Sequence, residues 1–148
     1  MDRSEIAIDA PPAEVWTTLS DGPAFEDWVV GCQAIRDVEG DWPEVGSAIH
    51  HRVGAGVLAL EDSTTVVESE RERRLVLRAR IRPAGVAMVH ISLEPGPANG
   101  TTVVMEEEMA EGPASHVPDA LTDPLLHQRN VESLQRLKQL VEDRVHDR

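Results

Sequence analysis

Apolar residues recur along this chain at two periods, near two at its start and through its middle, and near 3.6 in a short early stretch and at its end. The opening "SEIAID" alternates, with Ile6 and Ile8 on one side, and predicts a strand. "PPAEVWTTL" follows, its prolines placed where a first helical turn tolerates them and Val15, Trp16 and Leu19 at helical spacing. "SDGPAFEDW" breaks that helix at Asp21 and Gly22 and predicts a second, short one that brings Phe25 and Trp28 to one side. From residue 32 to residue 110 the period is two. The predicted strands are "CQAIRDV", "SAIHHRV", "VLALEDSTTVVES", "RLVLRARI", "VAMVHISLE" and "TTVVMEEEMA", separated by Gly, Pro, Asn or charged turns. Six strands in series predict an antiparallel meander.

Pairing the two strands around "PAG" at residues 83–85 sets Ile81 opposite Ala87, Ala79 opposite Val89, Leu77 opposite Ile91 and Leu75 opposite Leu93. The other face then carries Arg78, Arg80 and Arg82 beside Met88, His90, Ser92 and Glu94, which reads as the wet side of a half-buried sheet. The apolar side needs a cover, and the segment long enough to supply one is "DPLLHQRNVESLQRLKQLVEDRV". There Asp123 is expected to cap and Pro124 to take the first helical position. At 100 degrees per residue, His127, Asn130, Leu134, Leu137, Val141 and Val145 share one stripe, and Glu132, Gln135, Arg136, Gln139 and Asp143 lie opposite. A helix of this kind lies on a surface, here the sheet.

The 148 residues suit one domain, 1–148, with one sizeable core. Lys and Arg number 14 against 27 Asp and Glu, a formal charge of -13 that repels nucleic-acid phosphates and anionic lipid headgroups. The single cysteine, Cys32, cannot form an internal bridge, and no Cys/His spacing suits a structural zinc. No run of about 18 apolar residues is present to insert in a membrane, and "MDRSEIAIDA" lacks the basic start and apolar core of a secretory signal, so the expectation is a cytoplasmic protein. Nothing in the sequence sets an oligomeric state.

The chain resembles the polyketide cyclase/dehydrase and lipid-transfer proteins of the START-like, helix-grip (SRPBCC) superfamily. The resemblance rests on "IAIDAPPAEVWTTLSDGPAFEDW", on "VGS" before the third strand, on "NGTTVVMEEE" in the last hairpin and on the closing "NVESLQRLKQLVE". It implies an α+β helix-grip fold, in which a curved antiparallel sheet of about seven strands (β-α-α-β6-α) wraps a long C-terminal helix. It also implies a cavity between the two for a hydrophobic or amphipathic small molecule. The family shares no catalytic motif, so the resemblance assigns no residue a role.

Candidate ligand-binding residues come from the pattern itself. His127 and Asn130 interrupt the helix's apolar stripe, where an unpaired polar group costs about 1–3 kcal/mol. Either they line the cavity and hydrogen-bond a ligand, or the first helical turns overhang the sheet and both meet water or a loop carbonyl. Glu107 alternates with Val103, Met105 and Met109 on the more apolar side of the last strand; it is either a buried acid beside a cation such as His127 or part of a solvated edge. His51 shares its side with Ile49 and Val53, as a ligand contact or a packed histidine, while His50 points the other way, which argues against a shared metal. Trp28 is a cavity wall or the seat of the second helix. The run "ERERRLVLRARIR" reads as a solvated face that Glu94, Glu106 or Glu108 balances, not as an RNA site.

No phosphate-binding glycine loop, dinucleotide fingerprint, nucleophile elbow or zinc-protease helix occurs, so no cofactor is expected. Cys32 reads as a small apolar residue opening a strand rather than as a nucleophile. Three functions remain open. The first is binding of a hydrophobic small molecule such as a lipid or polyketide. The second is a cyclase or dehydratase in which His127 and Glu107 move protons. The third is a protein interaction module, which would show an exposed apolar patch. Four aromatic residues in the chain favour an aliphatic pocket.

Overall fold

A computed structural model describes residues 1–53, 60–81 and 85–147. Strand β1 (Asp2–Ile8) leads into helix α1 (Pro12–Leu19), then a single 3-10 turn and the short helix α2 (Phe25–Trp28). Six further strands follow: β2 (Cys32–Glu39), β3 (Ala48–Val53), β4 (Leu60–Glu70), β5 (Arg74–Ile81), β6 (Gly85–Pro95) and β7 (Thr101–Glu111). Helix α3 (Asp119–His146) ends the chain. The described strands form one antiparallel sheet in the order β1-β7-β6-β5-β4-β3-β2, a meander whose last strand returns to pair with the first. This is the α+β helix-grip architecture that the family resemblance implied, built from the elements that the periods predicted. Val57, Leu58 and Ala59 of the predicted fourth strand, Arg82, expected on the wet face, and Pro83 and Ala84 of the predicted turn lie outside the described residues.

The β5–β6 register differs from the expected one by two residues: Leu75 faces Ile91, Leu77 faces Val89, Ala79 faces Ala87, and Ile81 faces Gly85. Gly85, read as part of the turn, is instead the first residue of β6. Its φ of +131 and the approach of the Glu111 carbonyl, which a Cβ would meet at 1.8 Å, suit glycine alone. A slip of two preserves faces, since side chains alternate with period two, so the apolar pairing survives with different partners. On the outer side Arg78 pairs with Glu111 and Arg74 with Glu68; Arg80, expected outside with them, instead reaches buried Asp62 and the cavity lining, and the glutamates expected to balance these arginines are not the partners found.

Helix α3 starts earlier than expected, with Pro118 at its N-cap and Pro124 inside it. A proline at the sixth position deprives the Ala120 carbonyl of one donor, and that residue is exposed on a turn that water can serve. Beyond those turns Asn130, Ser133, Leu134, Leu137 and Val141 are buried. Leu134, Leu137 and Val141 pack with Val15, Leu19 and the inward residues of the sheet, among them Ile49, Leu75, Ile91 and Val103. Each such burial contributes about 1.5–3 kcal/mol.

Strand β1 explains the polar start of the helix stripe. Its inward side reads Asp2, Ser4, Ile6, Ile8, so polar residues lie at one end and apolar residues at the other. The His127–Asn130 end of α3 meets Asp2 and Ser4, and the leucine end meets isoleucine.

Candidate functional site

The core is not filled. A cavity of about 120 Å³ lies between α3 and the inward face of the sheet, bounded by α2 and the Val29–Cys32 loop. Leu77 of β5, Val89 and Ile91 of β6, and Met105 of β7 supply an apolar floor, and Phe25 and Trp28 supply a wall. The placement of α2 follows from its aromatics: Phe25 meets Trp28 edge-on at 5.6 Å and Trp42 at 6.0 Å. The loop after α2 is pinned to α3, because the Val30 amide donates to Ser133 Oγ at 3.0 Å. An apolar wall with few polar groups suits a ligand that is mostly hydrocarbon.

Those polar groups gather at two ends. At the β7 end Glu107 is only 1 % exposed, and Arg129 Nη2 donates to its Oε1 at 2.6 Å. Beside it, Asp2 is the cross-strand partner of Glu107 and accepts from Asn130 Nδ2 at 3.2 Å. His127 Nδ1 lies 2.9 Å from Asp2 Oδ1 and 3.2 Å from Ser4 Oγ. Two neighbouring buried carboxylates are thus matched by one guanidinium, one amide, one imidazole and the Ser4 hydroxyl, which donates to Asp2 Oδ2 at 3.3 Å.

At the other end, on β3 and β4, His51 is buried and its Nε2 lies 3.0 Å from Thr64 Oγ1. Its ring also packs 6.0 Å from that of Phe25. Four strand steps separate the two ends, roughly 19 Å along the sheet.

Glu107, Asn130, His51 and Trp28 all line the cavity. His127 does not: its side chain is 54 % exposed, and its Nδ1 is directed to β1. The cation beside Glu107 is Arg129 rather than His127. The stripe extrapolated through His127 is where the helix begins to overhang, so position 127 meets the sheet's first strand and solvent instead of its interior. The lining is also less aliphatic than composition suggested, since two of the four aromatic residues face it.

Arg129, Asp2, Thr64 and Ser133 escaped the sequence reading. Arg129 and Ser133 stand four apart on the row beside the apolar stripe, and Asp2 and Ser4 share the side of Ile6 and Ile8; those spacings were available signals. His50 is oriented oppositely to His51, with its Nε2 3.8 Å from Glu39. No group of three or more His, Cys, Asp or Glu is arranged to hold a metal among the described residues.

Burial pushes the His51 imidazole below its ordinary pKa of 6.5; the Asp62 carboxylate opposes this and His50 adds to it. A histidine with a depressed folded pKa binds protons more readily when unfolded, so the unfolded chain gains protons first on acidification. Stability contributed by neutral His51 is therefore full above 6.5 and is lost as pH falls from there through the lower folded value. Urea titrations between pH 8 and pH 5 are expected to show a steeper acid loss for the native protein than for His51→Gln; parallel curves would contradict it. Cys32, also in the lining, has its thiol pushed up to about 11, chiefly by burial and also by Glu26, so it stays protonated and is a poor nucleophile.

Comparison with known proteins agrees with this fold. Protein CV1439 from Chromobacterium violaceum shares 22% identity, over 95% of this chain and 96% of its own, with a TM-score of 0.69. Protein NE0264 from Nitrosomonas europaea shares 17% identity over 96% of this chain and 94% of its own, with a TM-score of 0.71. Ara h 8.0201 shares 12% identity over 95% of this chain and 96% of its own, with a TM-score of 0.69. These likenesses establish the fold. A comparison with functionally curated proteins finds no match. None of the described helices is long and apolar enough to cross a membrane. The family model described as polyketide cyclase/dehydrase and lipid transport matches residues 3–142, and the chain belongs to that family, whose members bind hydrophobic ligands.

Proposed function

We propose that this protein binds a hydrophobic or amphipathic small molecule, of lipid or polyketide-like character, between α3 and the sheet, and acts as a carrier rather than a catalyst. The observation that carries this reading is the mostly apolar cavity under α3, whose charged groups stand at its two ends. The cyclase reading needed an acid and a base facing a common space. Glu107 is committed to Arg129, and His127 is turned to Asp2 outside the lining, so that pair is not assembled. The interaction reading needed a broad exposed apolar patch; the exposed apolar side chains at the start of α3 are Leu121 and Leu125, with Val117 just before it and Met1 beside it.

Native mass spectrometry of freshly purified protein, beside its denatured mass, tests the proposal. A discrete adduct of a few hundred daltons that disappears on denaturation is the expected result. Failure both to find an adduct and to stabilise the protein with any of a panel of apolar compounds would count against it.

A further inference from the structure

Arg129 makes both of its hydrogen bonds from one nitrogen: Nη2 donates to the two carboxylate oxygens of Glu107. Its Nε and Nη1 have no partner among the described residues, and neither is buried, so a water-sized molecule reaches both. Glu107 shares the inward side of β7 with Val103 and Met105, and the guanidinium bound to it therefore lies at the helix–sheet gap. Arg129 lines the cavity while its side chain is 32 % exposed, which puts it where the space under α3 meets solvent. Ala79 and Val89 of the lining are only part-buried, so that space is open rather than sealed.

The pair separates charge from hydrogen bonding. Glu107 gives Arg129 a full counter-charge but occupies one of its nitrogens, and the N–H groups of Nε and Nη1 remain as donors. Asp2, the cross-strand neighbour of Glu107, adds a second buried carboxylate. A carboxylate on a ligand would lose its hydration to reach these donors and would meet two fixed negative charges beside them. At the far end Arg80, the other guanidinium of the lining, is likewise paired, with Asp62. A neutral oxygen takes the open N–H groups without that repulsion, and because arginine only donates, the ligand's group must accept.

Resting on the reading of the cavity as a binding site, we propose that Arg129 anchors a neutral carbonyl, of a ketone, ester or lactone, on an otherwise apolar ligand, and that Glu107 excludes the corresponding free acid. The hydrocarbon body lies over Leu77, Val89, Ile91 and Met105, and the carbonyl oxygen accepts from Nε or Nη1 at the cavity's edge. A carbonyl suits this place because it offers two lone pairs and brings no proton that needs an acceptor of its own.

Three probes of one shape test this by equilibrium dialysis against the full chain at pH 7.5: 2-ethylnaphthalene, 2-acetylnaphthalene and 2-naphthoate. A merely apolar pocket favours the ethyl compound, since the acetyl carbonyl loses water on entry. With Arg129 as anchor, the acetyl compound is expected to bind at least as tightly as the ethyl compound, and 2-naphthoate most weakly. In Glu107→Leu/Arg129→Leu, which removes donor and counter-charge together, the ratio of acetyl to ethyl affinity should fall about tenfold. Glu107→Gln keeps Arg129 and an oxygen to hold it but removes the charge, so 2-naphthoate should gain about tenfold while the acetyl compound changes little. Glu5→Gln removes an exposed carboxylate outside the lining and should give neither effect, which separates local charge from overall charge.

Retained binding of 2-ethylnaphthalene shows that a variant is folded. An acetyl-to-ethyl ratio that is the same in the native protein and the double variant overturns the carbonyl anchor and leaves the cavity standing. A gain of 2-naphthoate that is absent in Glu107→Gln, or that Glu5→Gln matches, overturns the exclusion of acids by Glu107; should the double variant not fold, this arm carries the test by itself. Failure of all three probes to bind the native protein removes the cavity reading and the anchor with it.

Discussion

Replacing Arg129 with alanine is expected to destabilise the protein by about 3 kcal/mol, near the lower end of what breaking a buried ion pair costs. Glu107 is 1 % exposed, and the described structure gives it Arg129 as its ion-pair partner; Asp2 beside it is another carboxylate. Without the guanidinium, a buried charge stands next to a second one with nothing to offset it. Arg129 is about a third exposed, so water can enter where it stood, which is why the lower end of the range applies. The double variant Glu107→Leu/Arg129→Leu removes both charges and should recover most of the loss, because an apolar pair of similar volume replaces a costly ionic one. Urea denaturation of the two single variants and the double variant reads this directly. A double variant as unstable as Arg129→Ala would show that the pair is not the cause.

Filling the cavity should abolish binding while sparing the fold. Ala79 and Val89 both line it, neither is fully buried, and neither takes part in the polar ends. Phenylalanine at either position adds a ring to a space of about 120 Å³, and a cavity accepts extra atoms at less cost than a packed core does. Naphthalene at a hundred times its dissociation constant should raise the stability of the native protein by about 2.7 kcal/mol; in Ala79→Phe and in Val89→Phe the gain should vanish. Thermal unfolding with and without probe measures it. An undiminished gain in both variants would place the ligand elsewhere.

How far the site was legible can be seen residue by residue. Glu107, Asn130 and His51 stand out because each is a polar residue at a position where the local period calls for an apolar one, and the structure places all three in the cavity lining. His127 broke the same rule at the same helix, yet it faces β1 and solvent. Periodicity states which side of a helix a residue occupies. It does not state where along that side the sheet ends. The β5–β6 register shows a related limit: alternation distinguishes the two faces but is blind to a slip of two, and the geometry of Gly85 decided between registers that alternation treats alike.

The sequence by itself determined the order of elements, the antiparallel meander, the covering helix and the apolar sides that bring them together, because these depend on periods of two and 3.6 that neighbouring residues impose on one another. It also carried the family, through patterns spread along the chain. Only the tertiary structure decided which polar residues meet. Asp2 and Asn130 are 128 positions apart, Glu107 and Arg129 22, and His51 and Thr64 13. The first two pairings follow from β1 returning to β7 with α3 packed over both strands, and the third from the register of β3 on β4. Those are global outcomes of packing, and no local period encodes them.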